Sequence, residues 1–191
     1  MNGQPQPRLG PLATVEWTEE QRALLRGHLA RADRYLVDEP DRPRIPPILG
    51  LLARHPRIGG PWLSFNGALL EGGSLAARDR ELLILRVGHR THSRYLCSQH
   101  LDLGAEAGLN AQDLLAVRED VVSGHWRGRD RRLLHAADEL IDDHTVSDET
   151  WSELRHHFDE QQILEVLFTV GSYVCLAMVL NSVGLEAGSK E

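Results

Sequence analysis

The stretch ELLILRVGHRTHSRYLCSQH, residues 81–100, joins a dense apolar run to a histidine. Four large aliphatic residues follow Glu81 directly, and such a run predicts a buried helix. The Gly and polar residues after it predict a turn, and the segment up to His100 predicts a second helix. A carboxylate on a buried helix is unfavourable unless it has a partner. The stretch therefore predicts two packed helices that carry either one acid–imidazole pair or two separate polar residues of a core.

The size and charge of the chain narrow the class of protein. With 191 residues, the chain is long enough for one domain with an appendage that buries its own core. The formal net charge is −7, which argues against nucleic acid or an anionic membrane as a partner. Only two cysteines, Cys97 and Cys175, and no signal-like N-terminal segment favour a reducing, cytoplasmic setting.

Proline and the apolar pattern predict an all-α fold. All nine prolines lie at or before residue 61, and the rest of the chain is rich in Leu, Ala, Glu and Arg. No segment alternates apolar and polar residues over enough positions for a sheet. A capping box at Thr18 predicts a first helix that continues with helical spacing through Ala32. Further helices are predicted at 46–54, 59–71, 76–88 and 94–107, after Asn110, around 133–141, after Ser147 and from Asp159 to Val183.

The last predicted helix contains the longest uncharged apolar stretch, residues 166–180. Fifteen residues fall short of the roughly 20 that a helix needs to cross a bilayer. We therefore expect a buried helix and no membrane partner. The alternative is a subunit interface, because Gly171, Ser172 and Ala177 are small residues that permit close helix approach.

The acid and the imidazole form the candidate catalytic pair. If the two helices of residues 81–100 pack as neighbours, Glu81 reaches His100 and fixes its tautomer. His100 would then act as a general acid/base. In the structural alternative, His100 is a core histidine bound to a backbone carbonyl, and Glu81 pairs with an arginine such as Arg78 or Arg86.

Three segments resemble one protein family. RDRELLILRV (78–87), YLCSQH (95–100) and AGLNAQDL (107–114) resemble the core of the carboxymuconolactone decarboxylase family, which is related to alkyl hydroperoxidase D. Tyr95 and His100 match the family pattern Y-E-W-x-x-H, whereas Leu96 and Cys97 stand where Glu and Trp are common. The resemblance extends over about residues 45–186.

This resemblance implies an antiparallel helical bundle of the alkyl hydroperoxidase D-like type, assembled as a homo-oligomer (trimer or hexamer), with no cofactor and no metal. In the decarboxylase branch, the histidine at the position of His100 moves a proton while a lactone acid loses carbon dioxide. In the hydroperoxidase branch, a Cys-x-x-Cys pair reacts, aided by groups that match Glu81 and His100. Here Ser93 and Leu96 occupy those two cysteine positions, which disfavours a dithiol peroxidase.

Other residues carry weaker hypotheses. Cys97 lies three residues before His100 and so shares its helix face. Cys97 would be a redox nucleophile if the His100 imidazole made it a thiolate, but a lone helical cysteine usually packs as a small apolar residue. Tyr95 would orient a substrate, and Arg78, Arg80 or Arg86 would hold its carboxylate. Most such arginines form ion pairs on helix faces. His89 and His92 suggest a metal site only weakly, because a clean i, i+4 pair is absent.

The sequence thus predicts an N-terminal leader at 1–44, a helical domain at 45–186 and a tail at 187–191. The sequence predicts a lyase that acts without a cofactor on a small organic acid or lactone. A peroxidase that uses Cys97, of the peroxiredoxin type, and a non-catalytic oligomeric scaffold are the two alternatives.

Overall fold

The computed structural model describes residues 7–36, 45–119, 121 and 124–186. Within these ranges the chain is helical and contains no strand, which confirms the all-α prediction. After a 3-10 turn at Thr14–Glu16, the α-helices are α1 Glu19–Leu25, α2 Ala30–Asp33, α3 Pro47–Leu52, α4 Pro56–Leu70, α5 Ala77–Arg90, α6 Arg94–Glu106, α7 Ala111–Ala116, α8 Gly128–Asp142, α9 Asp148–His157 and α10 Glu160–Val183.

The first of two compact units comprises residues 1–72 and 182–191. Its first helix begins at the predicted capping box, in which the Thr18 hydroxyl accepts from the Gln21 backbone N–H. The helix does not continue through Ala32 as predicted. Gly27 adopts a φ of 84°, and its N–H donates to the Asp33 carboxylate, so α1 ends and α2 begins a turn later.

The second unit comprises residues 73–181 and is built around α5. Five apolar side chains of this helix are fully buried, at 0% exposure: Leu82, Leu83, Ile84, Leu85 and Val87. A turn at 91–93 leads into α6, which packs antiparallel on α5. A Cβ at Gly88 would lie 3.0 Å from Cys97 Sγ, so the missing side chain lets the helices approach closely beside the turn.

A ladder of three arginine–aspartate pairs joins α5 to α8. The pairs are Arg78–Asp130, Arg86–Asp138 and Arg90–Asp142, each with partners 52 residues apart. A constant separation along both helices means that α5 and α8 run parallel. The helix α5 therefore packs antiparallel to α6 and parallel to α8.

The helix α10 is longer than its apolar stretch. By length and composition alone it could cross a membrane, and half of its most apolar window is buried inside the protein. A buried core helix passes the same test. Within the second unit, Glu165 of α10 accepts hydrogen bonds from the backbone N–H groups of Ser74 and Leu75. This contact fixes the segment that leads into α5.

The two compact units divide between Gly72 and Gly73. The described part of the predicted leader lies in the first unit together with α3 and α4, and the predicted domain boundary at residue 45 stays a prediction. Most of the proline-rich connector and the predicted tail at 187–191 lie outside the described residues.

The ladder generates a stability prediction. Arg86 is 3% exposed; it binds Asp138 through two hydrogen bonds of 2.7 Å and donates to the Val117 carbonyl. We expect Arg86→Met to lower the free energy of unfolding by about 3 kcal/mol, because it removes the buried cation from Asp138 and the side-chain donor from the Val117 carbonyl. Urea unfolding followed by circular dichroism measures the change.

Arg90→Met is the matched control, because Arg90 also contacts Asp138 but its side chain is 29% exposed. It should change stability by less than about 1 kcal/mol, as is typical of exposed pairs. Equal losses in the two variants would contradict the distinction between a buried and an exposed rung.

Candidate functional site

The predicted acid–imidazole pair is present. His100 Nδ1 lies 2.7 Å from Glu81 Oε2, and the two residues are 8% and 2% exposed. The antiparallel packing of α6 on α5 brings them to the same level, although they are nineteen residues apart. The alternative with separate partners for each residue is therefore wrong.

The hydrogen bond defines the protonation pattern of the ring. A carboxylate oxygen only accepts, so Nδ1 carries the hydrogen and donates it to Glu81. Neutral His100 then has its lone pair on Nε2, which has no hydrogen-bond partner among the described residues. Tyr173 of α10 stands edge-on to the imidazole, with ring centroids 5.3 Å apart at 86°. Tyr173 thus limits the orientations that the ring can adopt.

A buried arginine adjoins this pair. Arg80 is 8% exposed, and its Nε lies 4.0 Å from Glu81 Oε1. Within the described part of the chain this ion pair is the only polar contact of Arg80, and its Nε has no hydrogen bond. The positive charge balances the Glu81 carboxylate, so the buried group is not left as an isolated anion.

Two of the three arginines predicted to contact substrate are already bound by aspartates of the protein. Arg78 contacts Asp130 and Asp113, and Arg86 contacts Asp138. The structure thus shows the ion pairs that the sequence offered as their other interpretation. Tyr95 is buried, at 3% exposure. The roles of Arg78, Arg86 and Tyr95 in substrate binding stay predictions.

The thiol of Cys97 contacts a different histidine from the one expected. Its Sγ lies 3.6 Å from His89 Nδ1, near the turn between α5 and α6. Burial raises the pKa of the Cys97 thiol, partly offset by the Arg118 charge. Burial, with help from Arg118 and Arg86, lowers the pKa of His89. A neutral thiol beside a neutral imidazole is a poor nucleophile at neutral pH.

The residue at the first cysteine position of the Cys-x-x-Cys motif is Ser93, which has no thiol for redox chemistry. Ser93 is 0% exposed, and its hydroxyl has no hydrogen-bond partner within the described ranges. Cys175 is exposed on α10, whereas Cys97 is half-buried. Both cysteines are free thiols in the structure.

Two surface concavities are lined by other residues. One, of about 350 Å³, lies in the first unit between α1 and α4, and one of about 500 Å³ lies in the second unit beside Trp151 and Leu167. Neither is lined by Glu81 or His100. Among the described residues, no group of three or more His, Cys, Asp or Glu side chains is arranged to hold a metal ion.

Three neighbours of the predicted residues were not predicted from the sequence. His89 was considered only as a metal ligand, Tyr173 was part of an apolar helix, and Asp138 was given no role. A signal existed for Asp138, because arginines and aspartates recur with equal spacing in two helices. No sequence signal places Tyr173 against His100.

An all-α unit with a buried Glu–His pair between two antiparallel helices defines the class of protein. The model of the carboxymuconolactone decarboxylase family matches residues 56–139, which include α4 to most of α8. This part of the chain is therefore similar to the carboxymuconolactone decarboxylase family, and the fold is that of AhpD-like solved structures.

Solved structures share this fold at low sequence identity. The AhpD core of an uncharacterized peroxidase-related protein from Ralstonia eutropha JMP134 has a TM-score of 0.78 and 15% identity, covering 98% of this chain and 95% of that chain. An uncharacterized peroxidase-related protein from Silicibacter sp. TM1040 has a TM-score of 0.76 and 13% identity, covering 98% and 97%.

A third structure is similar over a shorter part of the chain. It is a protein of unknown function from Agrobacterium tumefaciens, described as a putative antioxidant defence protein AhpD, with a TM-score of 0.68 and 15% identity. The match covers 73% of this chain and 97% of that one. The search of curated proteins gives no match.

The surroundings of Cys97 predict slow alkylation. At pH 7 we expect Cys97 of the folded protein to react with iodoacetamide more slowly than Cys97 of the urea-unfolded protein, because burial keeps its thiol protonated. Its rate should keep rising with pH beyond the ordinary thiol range. Mass spectrometry of the Cys97 peptide measures both rates. Equally fast alkylation of Cys97 in the folded and unfolded protein at pH 7 would contradict the prediction.

The Glu81–His100 contact predicts a single tautomer. Neutral His100 should carry its hydrogen on Nδ1, and long-range ¹H–¹⁵N correlation spectra of the ring report this directly. The His100→Gln variant assigns the signals by their loss. A ring with its hydrogen on Nε2 would show that Glu81 does not hold His100 in solution.

Proposed function

We propose that the protein is an enzyme, a lyase by class, that moves a proton to or from carbon in a small organic acid or lactone. His100 is the proton carrier, Glu81 orients it, and no organic cofactor takes part. The observation that supports this proposal is the 2.7 Å contact between His100 Nδ1 and Glu81 Oε2. It leaves Nε2 as the atom that exchanges the proton.

The proposed chemistry uses an electron sink within the substrate. In a β-keto acid or an unsaturated lactone acid, the carboxylate leaves as carbon dioxide, and the electrons of the broken C–C bond pass into the conjugated carbonyl. The protonated imidazole then delivers its Nε2 proton to the carbanionic carbon, and a proton from solvent restores it. Glu81 stabilises the imidazolium that holds the proton before this transfer; after the transfer the ring is neutral until solvent protonates Nε2 again.

Two other functions drawn from the sequence compete with this one. A peroxidase would require Cys97 to attack peroxide as a thiolate, but burial raises its pKa and the adjacent His89 has a lowered one. Two of the solved structures that share this fold belong to proteins described as peroxidase-related, which supports the peroxidase alternative. A scaffold would need neither residue. We also propose that the enzyme is cytoplasmic and homo-oligomeric.

Proton exchange at carbon tests the main proposal without a known physiological substrate. A panel of β-keto acids and carboxylated unsaturated lactones is incubated in D₂O, and NMR follows carbon dioxide loss and deuterium incorporation. We expect His100→Gln to lower kcat by about 10²-fold or more, as for loss of a general acid/base. Glu81→Gln should lower kcat by about 10-fold, because the neutral amide still orients the ring.

Cys97→Ser is the matched control, because Ser keeps the small side chain beside Gly88. It should retain turnover, and we expect its peroxide consumption to be as low as that of the unmodified protein. Circular dichroism and urea unfolding establish that each variant folds. Full activity of a folded His100→Gln variant would reject the acid/base proposal, and loss of peroxide consumption in Cys97→Ser alone would favour the peroxidase.

A further inference from the structure

The guanidinium group of Arg80 is a buried charge with too few partners. Its single polar contact among the described residues is the 4.0 Å approach of its Nε to Glu81, longer than a hydrogen bond. The residue is 8% exposed, and Nε has no hydrogen-bond acceptor. A guanidinium has five N–H donors, and a buried one normally binds carboxylate, phosphate or carbonyl oxygens.

The other arginines of α5 show what satisfied partners look like here. Arg78, Arg86 and Arg90 each bind at least one aspartate of α8, with oxygen–nitrogen distances between 2.6 and 2.9 Å. They recur at intervals of eight and four residues and therefore share one side of the helix. Arg80 is two residues from Arg78 and lies off that side, where no aspartate meets it.

We infer that Arg80 binds the carboxylate of the substrate, beside the Glu81–His100 pair. This inference deepens the proposed function, because it assigns the substrate class to monocarboxylates or dicarboxylates held by one buried arginine. Both anions, Glu81 and the substrate, would then share the Arg80 charge. A bidentate carboxylate would satisfy donors that the protein itself leaves unused.

Binding of a simple carboxylate tests the inference without turnover. Isothermal titration with benzoate, together with NMR of the His100 ring, gives the dissociation constant and the place of binding. We expect Arg80→Met to weaken benzoate binding by about 10-fold or more, since a charge-assisted pair is lost. Arg80→Lys should restore part of the affinity. Arg90→Met, on the same helix, is the control and should leave the affinity unchanged.

His100→Gln separates this inference from the proposed function. It should bind benzoate as the unmodified protein does and yet lose turnover. Equal benzoate affinity of Arg80→Met and the unmodified protein, or no binding to the latter, would overturn the Arg80 assignment while leaving the acid/base proposal standing. Loss of the oligomer in Arg80→Met, with benzoate binding intact, would assign Arg80 to a subunit contact and also overturn it.

A second, independent observation concerns the outer side of α10. Leu164, Phe168, Met178 and Val179 are exposed by 53, 53, 64 and 46%, and the exposed Gly171 and Cys175 lie between them. From residue 166 to residue 183 this helix has no charged side chain. The chain as a whole carries a net charge of −7, but this apolar stripe carries no charge. Two copies can therefore meet along the stripe without repulsion between like charges.

Gly171 at the centre of the stripe has no explanation within the chain. A Cβ at this position would meet nothing within 4 Å, whereas at Gly59, Gly88 and Gly104 in other helices it would come within 2.9–3.0 Å of a neighbouring side chain. Gly inside a helix is unfavourable relative to Ala. A missing side chain on an exposed apolar face permits another helix backbone to approach closely.

The stripe is also symmetric about this glycine. Leu164 and Met178 lie seven residues on either side of Gly171, and Phe168 and Cys175 lie three before and four after it. In a two-fold contact, residue i of one copy meets residue j of the other and j meets i. We propose that α10 packs antiparallel against α10 of a second copy, crossing at Gly171, with Leu164 of each copy beside Met178 of the other.

Mixed cross-linking tests the direction of packing. Leu164→Cys and Met178→Cys are each made in a Cys175→Ser background, and a short bis-maleimide is added. We expect cross-linked dimers when the two proteins are mixed and few when either is alone. Cross-linking of Leu164→Cys with itself would indicate parallel packing and overturn the arrangement. Cys175→Ser without further cysteines controls for the half-buried Cys97.

Light scattering tests whether this surface holds the copies together. Met178→Glu and Gly171→Leu should lower the assembled mass and leave the helical circular dichroism unchanged, because both positions are open to solvent in one chain. Leu115→Glu, at a site with 57% exposure on α7, is the matched control and should not change the mass. Unchanged mass in both test variants would overturn the proposal, as would a monomeric unmodified protein that binds lipid vesicles through this face.

Discussion

The buried carboxylate of Glu81 is the constraint on which the arrangement of the second unit depends. Because α5 buries nearly every side chain from Asp79 to Gly88, the carboxylate has no route to water and must be satisfied inside. An antiparallel α6 meets this need by bringing His100 to the same level. Gly88 permits the close approach at the other end of the same hairpin. The Glu81–His100 contact thus satisfies a buried carboxylate and also fixes the imidazole with its Nε2 directed away from Glu81.

Local sequence features predicted the helices well, and long-range geometry explains most of what was missed. The observed α5 and α6 agree with the predicted segments to within two residues, because the apolar run and the Gly–polar turn mark their ends. Cys97 was expected beside His100, since the two share a helix face. In an antiparallel hairpin, however, a residue nearer the turn meets a partner nearer the turn, so Cys97 lies against Gly88 and His89 instead. The break at Gly27 was missed because helical spacing of the leucines continued across it.

The charged residues of α5 show why composition alone could not assign a site. Its arginines look alike in sequence, yet three of them form a ladder with α8 and one does not. The spacing of the ladder was visible, but the choice of α8 as the parallel neighbour is a property of the tertiary fold. Chemistry then follows from position. Arginines with aspartate partners stabilise the unit, and the arginine left without one lies next to the Glu–His pair.

The outer face of α10 can be considered against three environments, which are lipid, solvent and another helix. Each of them would favour a different residue at position 171. A helix that is apolar on all sides is expected to be buried all round, but the second unit covers only part of this one. Lipid would contact any apolar side chain, so a larger residue than glycine at 171 would serve equally well. Solvent would favour a polar or charged residue there. Only the close approach of another rigid backbone gives the absent Cβ a physical reason, and a face with its glycine at the centre of symmetry suits a copy of itself better than an unrelated surface.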